Sequence, residues 1–439
     1  MSDLSRRKAL QMLGAAATVA AGAPLAGAQP KPLELKPERG AQLRVLRWKR
    51  FVQGDEEQWN RNVARFTRAT GVAVRVDAEN FEDIRPKAAV AANVGSGPDI
   101  VYGWFDDAHQ YPDRVLEVTD LAEDLGARYG GWYEVCRRYG MREGRWICLP
   151  LGFLGGCLVY RRSMIEAAGY ERIPQDLDGF LKLCQALRRR NTPIGLALGN
   201  AVGDANAWCH WVVWAHGARL VDEDGRVAIN SAETVAALDY ARALYDTMIP
   251  GTLSWLDPNN NKAFLAGEIS LTLNGISIYY AAKTSTEEGL RRMAADIEHA
   301  PMPVGPVGRP TELSPVSPAF IFRHTRYPQA AKQFVRFMME RDQYEPWQAA
   351  SLGYVSQPLR AYESNPVWTA DPKHTPYRDV PKRVLYSGHA GPLGTASAAA
   401  MADYVMVNMV AAAASNAGSP RRAAARAERG ARSYYNKRT

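Results

Sequence analysis

The sequence is poor in the residues that staple or catalyse. Of its 439 residues, five are cysteines (Cys136, Cys148, Cys157, Cys184 and Cys209) and seven are histidines. The cysteines are odd in number and lack CxxC spacing, so a disulfide framework is not indicated. Cys136 and Cys148 flank a turn-like YGMREG stretch and could pair in an oxidising compartment, whereas buried free thiols fit most of the five. GxSxG, HExxH, P-loop and GxGxxG motifs are all missing, which removes the commonest hydrolase, metalloprotease and nucleotide-binding signatures. Past the N-terminus no apolar run of spanning length stands out, so the mature chain is expected to be soluble. No internal repeat is visible.

Charge of one sign is scarce once the ends are set aside. The formal net charge is +8, but residues 421–439 hold seven Arg/Lys and one Glu, and the first 28 residues add a small basic excess. The body between is neutral, which excludes a nucleic-acid footprint. The tail RRAAARAERGARSYYNKR reads as a solvated terminal helix. The N-terminus MSDLSRRKALQMLGAAATVAAGAPLAGAQ has a basic Arg6-Arg7-Lys8 cluster, a weakly apolar Ala-rich stretch and a small-residue site at Ala26-Gly27-Ala28. Residues 1–28 are therefore expected to be a cleaved, twin-arginine-like export signal, and the mature protein to be periplasmic. No cysteine follows the cleavage site, which argues against lipid anchoring there.

What is present is a βαβ rhythm. Gln42–Trp48 alternates like a strand, and Asp55-Glu56-Glu57 opens a helix by placing acids at its positive end. Trp59, Val63 and Phe66 keep helical spacing, Thr70-Gly71 stops the helix, and Val72–Val76 is a second strand. A helix over Phe81–Val94 follows, then the turn Ser96-Gly97-Pro98-Asp99 and an apolar strand emerging at Gly103-Trp104. This order predicts a mostly parallel sheet. Further on, extended segments are expected at 144–150 and 155–161, a strand at 194–198, helices at 177–190, 205–216, 232–248 and 259–265, and a strand at 269–273. The Pro-rich stretch 301–318 is a linker or a crossing between lobes, 320–322 is a short strand, and the chain from Pro328 onward is expected to be nearly all helix.

Several stretches, in order along nearly all of the mature chain, resemble one family. FTRATGVAV (66–74) is similar to its F-x-x-x-T-G-I-x-V junction, and GSGPDIV (95–101) to its G-x-x-P-D-(I/V) strand. GRWICLP (144–150) followed by LVYRR (158–162) resembles D-G-K-x-Y-G-L-P and L-x-Y-N-K. FLAGEISL (264–271) resembles F-x-x-G-x-A-A-M, and PQAAKQF (328–334) the late P-x-x-A-A-x-x-F helix. The family is that of the extracellular solute-binding proteins of bacterial ABC importers, in the group that includes maltose-binding protein. The resemblance implies a two-lobed α/β periplasmic binding protein fold of type II, each lobe a mostly parallel sheet flanked by helices. It implies lobes at 41–149 plus 301–341 and 150–300 plus 342–439, with crossings near 148–152, 299–303 and 340–345. It further implies a monomer that closes over one carbohydrate or polyol and delivers it to membrane permease subunits, without catalysis, cofactor or metal. Arg161-Arg162 and Trp48-Lys49-Arg50 depart from the family's usual residues and bear on the ligand's identity.

Sugars need aromatic faces for their C–H side and a few polar groups for their hydroxyls. Strand ends line the clefts of open α/β sheets. Trp104 with Asp106, Trp48 with Lys49, and Asn80 would share one rim; the bland alternatives are loop packing for Trp104 and a solvated charge for Lys49. Phe153 follows the first crossing and joins the candidates. Most rings of the WCHWVVW run must be core, with Trp208 the best placed for a ligand. Asn274, Gly275 and Ser277 join a strand end to a helix start, where free N–H groups can meet hydroxyls, and Tyr279 follows. Tyr354 and His389 lie in late loops that the family folds toward its cleft. The segment Asp257-Pro258-Asn259-Asn260-Asn261, with Glu268, has oxygens at four calcium-loop positions, but Lys262 stands where glycine is needed. A helix N-cap at Asn259 or Asn260 explains it better.

Two other readings remain. An exported carbohydrate-active enzyme could draft Asp106-Asp107, although adjacent carboxylates seldom give the opposed geometry of glycoside hydrolysis. A binding protein serving a chemoreceptor would share fold and cleft. Within binding, Arg47, Lys49 and Arg50 keep an anionic sugar or polyol open.

Overall fold

The computed structural model describes residues 33–415 and 417–436. The export-signal expectation for 1–28 lies outside the described residues. Residues from Leu33 on form one compact unit.

Strand β1 (Gln42–Trp48) alternates at first and is then buried throughout, as a central strand must be. The helix Gln53–Thr70 carries Asp55 and Glu56 in its first turn and ends at Gly71, whose φ of 74° lets its N–H reach the Thr67 carbonyl. Strand β2 (Ala73–Glu79) pairs parallel with β1, which requires that helix as the crossover. The helix Phe81–Val94 leads to β3 (Ile100–Tyr102), on the other side of β1. A hairpin of β4 (Met141–Arg142) and β5 (Arg145–Trp146) precedes β6 (Leu149–Phe153). The chain then moves to a second sheet with β7 (Cys157–Arg161), β8 (Leu271–Asn274) and β9 (Ile297–Ala300), in the order β8-β7-β9. It returns through β10 (Val316–Ile321), which lies antiparallel between β3 and β6, so the larger sheet runs β2-β1-β3-β10-β6. The mixed α/β class with two sheets is as expected. In the smaller sheet, however, both neighbours of β7 are antiparallel.

Several local expectations fail for identifiable reasons. The stretch 194–198 is not a strand; Ile194 makes only isolated bridges, to Met248 and Leu271. Between Arg360 and Arg383 the chain is a series of one-turn helices, because Pro366, Pro372, Pro376 and Pro381 each remove an amide donor. The helix Arg341–Ala350 starts where a crossing near 340–345 was expected and packs against Gln53–Thr70. Thr395–Ala414 does have the length and composition of a membrane span, contrary to the sequence reading. It is interrupted at Tyr404 (φ 53°), and over half of it is buried against the helices Asp204–Ala215, Ala232–Tyr245 and Pro420–Tyr435. All five cysteines are buried and free, Cys136 and Cys148 included.

Candidate functional site

An aromatic wall stands where β1 and β3 emerge. The Trp48 and Trp104 rings are 5.5 Å apart, Phe81 stacks on Trp104 at 4.5 Å, Phe51 lies 5.2 Å from Phe81, and Tyr354 stacks on Phe51 at 6.3 Å. Trp104 is fully buried, and its indole N–H donates to the Phe81 carbonyl (3.0 Å). Trp48 is fixed from behind. The Arg47 guanidinium lies over the Trp48 and Trp59 rings at 4.4 and 4.3 Å. It donates through Nη2 to Asp55 Oδ2 at 2.8 Å. Asp55 also accepts the indole N–H groups of Trp48 (3.2 Å) and Trp347 (2.8 Å). Burial pushes the Asp55 carboxyl up while Arg47 pulls it down. Arg47 is thus consumed inside the wall and Arg50 pairs with Glu56, so neither is free for an anionic ligand as the sequence had allowed.

Beside the wall sits a charged corner. Arg85 Nε donates to Asp107 Oδ1 (2.6 Å), and Asp107 Oδ2 accepts from the Trp104 amide (2.8 Å). Burial opposes the guanidinium's charge most strongly, but Asp107, Tyr404 and Asp106 together outweigh it. Asp106 Oδ2 accepts from Ser397 Oγ at 2.9 Å, which ties this corner to the helix Thr395–Ala402. Among the described residues Arg85 Nη1 and Nη2, Asp106 Oδ1 and Glu82 Oε1 are buried without a hydrogen-bond partner.

The second sheet supplies the opposing face. Asp257 Oδ1 accepts from the Asp204 amide (2.8 Å), and both its oxygens accept from the Gly203 amide (3.1 Å). It thereby caps the helix Asp204–Ala215 from outside. Asp204 Oδ2 accepts from Asn260 Nδ2 (2.7 Å). Burial, then the charge of Asp257, push the Asp204 carboxyl well above its usual range, and burial pushes Asp257 up to about 6. Glu82, in the first turn of Phe81–Val94, adds to that rise, and Tyr354 senses both aspartates. The halves meet directly where the Gly54 amide donates to the Tyr280 hydroxyl (2.9 Å). Three more buried hydroxyls, of Ser314, Ser317 and Tyr377, have no partner among the described residues.

Of the residues singled out from sequence, the structure brings together Trp48 and Trp104, linked through Phe81 and Phe51 to Tyr354, with Gly275 against Gly155 and within 3.8 Å of the Tyr354 ring if it carried a Cβ, whereas Asp106 turns to Ser397. Phe153 is buried, its backbone paired with Ser356. Lys49 and Asn80 are exposed, and Asn80 Nδ2 donates to Asp83 (3.0 Å). Asn274 and Ser277 join Asn261 in a polar network, with Asn261 Nδ2 2.9 Å from Ser277 Oγ. Tyr279 donates to Asp371 (2.5 Å) beside Lys283. Trp208 is core, its indole on the Ala197 carbonyl (2.6 Å), and His389 lies edge-on to Trp214. In the calcium-like loop Asp257 caps the neighbouring helix and Asn259 Oδ1 accepts from the Leu256 amide (2.8 Å), as a cap would, while Glu268 is exposed. Phe81, Glu82, Arg85, Asp204 and Asp257 were not singled out as ligand residues. Glu82 and Arg85 sit three apart on the first turns of the helix after Asn80, so the rim argument that picked Asn80 reaches them.

Two α/β halves meeting at the ends of their strands define a two-lobed binding-protein fold. The chain belongs to the bacterial extracellular solute-binding protein family, whose match spans residues 62–376. YcjN of Escherichia coli (strain K12), named as a candidate ABC transporter periplasmic-binding protein, is 23% identical over 317 residues, 70% of each chain. Among solved structures, maltose-bound T. maritima MalE3 aligns with a TM-score of 0.75 at 17% identity, covering 90% of this chain and 99% of that one. A solute-binding protein of an ABC transporter from Agrobacterium radiobacter K84, in complex with ribitol, aligns at 0.73 with 18% identity, covering 92% and 100%.

Proposed function

We propose that this protein is the periplasmic binding component of an ABC importer that captures a sugar or polyol between its two halves and hands it to the permease. The observation that carries the reading is the aromatic wall of Trp48, Trp104, Phe81 and Tyr354 set against partnerless buried polar groups. Stacked rings offer flat apolar surface to a sugar's C–H face, while Arg85, Asp106, Glu82, Ser314 and Tyr377 offer donors and acceptors to its hydroxyls. The proposed lobes are those of the sequence reading, 41–149 plus 301–341 and 150–300 plus 342–439, with the helix Arg341–Ala350 moved to the first, against whose helix Gln53–Thr70 it packs. Contacts to both lobes give the closed form its differential free energy. The opening stretch supplies export by a signal within 1–28, no catalytic step is required, and a monomer suffices.

A thermal-shift screen of the mature chain over neutral sugars, polyols and their charged derivatives tests this. A ligand at 100 times its dissociation constant stabilises the folded form by about 2.7 kcal/mol. One class of carbohydrate should raise the melting temperature with no product formed. Turnover of a sugar, or no shift from any of them, contradicts the reading.

A further inference from the structure

The helix Pro420–Tyr435 has its charge sorted by face. Ala423, Ala424, Ala427 and Ala431 are buried and seat it against the helix Val405–Ala414. Arg422, Arg426 and Arg429 recur at helical spacing on the opposite side, with Arg421 and Arg432 flanking them, and all five are exposed. Among the described residues only Arg432 of the five has a carboxylate partner. That partner is Glu428, at 2.8 Å, whose other oxygen accepts from Asn230 Nδ2 (2.8 Å). Lys437 and Arg438 continue the basic run in the sequence.

A helix that needed only to stay in water would not be charged this way. Arg421 and Arg422 stand in its first turn, at the positive end of the dipole, and no acid accompanies them there. Arg422 and Arg426 at i,i+4, then Arg426 and Arg429 and then Arg429 and Arg432 at i,i+3, set like charges on neighbouring turns. The single opposite pair is Glu428 with Arg432. Each of these placements works against the helix, and local conflicts of this kind collect at functional surfaces. Arg188, Arg189 and Arg190 make the contrast: they are exposed too, but stand at the C-terminal end of Leu177–Arg189, where the dipole favours them. Beside the tail arginines an apolar groove of ≈ 200 Å³ runs between the two helices, lined by Val405, Met409, Ala412, Ala423 and Ala427 together with Arg426. The carboxylate in its lining, Asp403, already accepts from the Tyr434 hydroxyl. Guanidiniums alone would suit any polyanion. Guanidiniums beside a strip of aliphatic side chains suit a surface that is anionic and apolar within a few ångströms, as the headgroup layer of an anionic bilayer is.

We propose that the arginine face of Pro420–Tyr435 docks this protein on an anionic phospholipid bilayer. Lipid phosphates pair with Arg422, Arg426 and Arg429, and the groove takes glycerol or acyl carbon beside them. The inference goes beyond solute capture and holds whichever solute is taken. Its consequence is a binding protein concentrated at the membrane surface, where a permease would receive its load.

The test is flotation of the mature chain with vesicles of phosphatidylglycerol and phosphatidylcholine in equal parts, and with vesicles of phosphatidylcholine alone. At about 50 mM salt the anionic vesicles should carry at least about tenfold more protein than the neutral ones, and the excess should fall at least about fivefold at about 500 mM. The triple variant Arg422→Gln, Arg426→Gln, Arg429→Gln should lose at least about fivefold of that binding while melting no lower than wild type, since it relieves like-charge repulsion. The triple variant Arg188→Gln, Arg189→Gln, Arg190→Gln removes the same net charge elsewhere and should change binding less than about twofold. Equal binding to both kinds of vesicle overturns the proposal, as do equal losses in the two triples. Binding to neither kind also overturns it and leaves the face to an acidic protein surface. None of these outcomes touches solute capture, which the thermal-shift screen tests by itself.

Discussion

Replacing Asp55 by asparagine probes the support of the aromatic wall. Asp55 is fully buried and accepts three hydrogen bonds, from Arg47 Nη2 (2.8 Å), Trp48 Nε1 (3.2 Å) and Trp347 Nε1 (2.8 Å). Asparagine keeps the shape but removes the charge and turns an NH2 toward a donor. Arg47, only 1% exposed, is then left as an uncompensated cation among indole rings. Breaking a buried ion pair from one side costs about 3–5 kcal/mol, a large share of a total stability of about 5–15 kcal/mol. Adding Arg47→Met removes the stranded charge and fills its space, so the double variant should recover at least about 1 kcal/mol over Asp55→Asn alone. Urea unfolding followed by far-UV circular dichroism and tryptophan fluorescence measures both, with coincident curves licensing the two-state treatment. Asp55→Asn within about 0.5 kcal/mol of wild type, or a double variant as unstable as the sum of its singles, would refute the reasoning.

Trp104→Ala should lower ligand affinity at least tenfold, about 1.4 kcal/mol, and destabilise the fold by about 3–5 kcal/mol through the cavity it leaves; titration and melting check the two separately. Gly54→Ala should cost about 1–3 kcal/mol, since a Cβ there would lie 1.8 Å from the Ala350 carbonyl oxygen; thermal melting reads it. His210 is fully enclosed with its Nδ1 on the Asn206 carbonyl, and burial drops its pKa to about 4. A depressed histidine contributes stability that is whole above the unfolded value of about 6.5 and lost as pH falls toward 4, so wild type should lose up to about 3 kcal/mol relative to His210→Gln over that window. Unfolding curves of the pair at each pH test the sign.

The fold was legible where local signals agree with tertiary demand. Gly71 after Thr70, acids opening Gln53–Thr70, and Pro98-Asp99 before β3 each mark a boundary that packing then keeps. The antiparallel insertion of β10 was not legible, because sheet order is set by which distant strand fills the edge of β3, and no local pattern encodes that. At the site, strand-end logic found Trp48 and Trp104. It left Arg47 open as a cation for a ligand, yet the long side chain folds over the Trp48 ring to reach Asp55. Asp204 and Asp257 were obscured because each looks like an ordinary helix-starting residue; only the hydrogen bond from the Asp204 amide to Asp257 Oδ1 (2.8 Å) reveals that the two helix starts adjoin. Tyr279 and Trp208 illustrate the converse, since rings well placed in sequence find partners in Asp371 and the Ala197 carbonyl.

Amide hydrogen exchange with and without a saturating hit from the carbohydrate screen tests the central claim most directly. Capture between the halves predicts joint protection of segments 81–85, 103–107 and 353–355 on the wall side and 203–205 and 256–258 on the other. Protection confined instead to the surface hollow of ≈ 550 Å³ lined by Glu134, Arg138, Tyr386 and Pro392, which includes none of the aromatic wall, would contradict it.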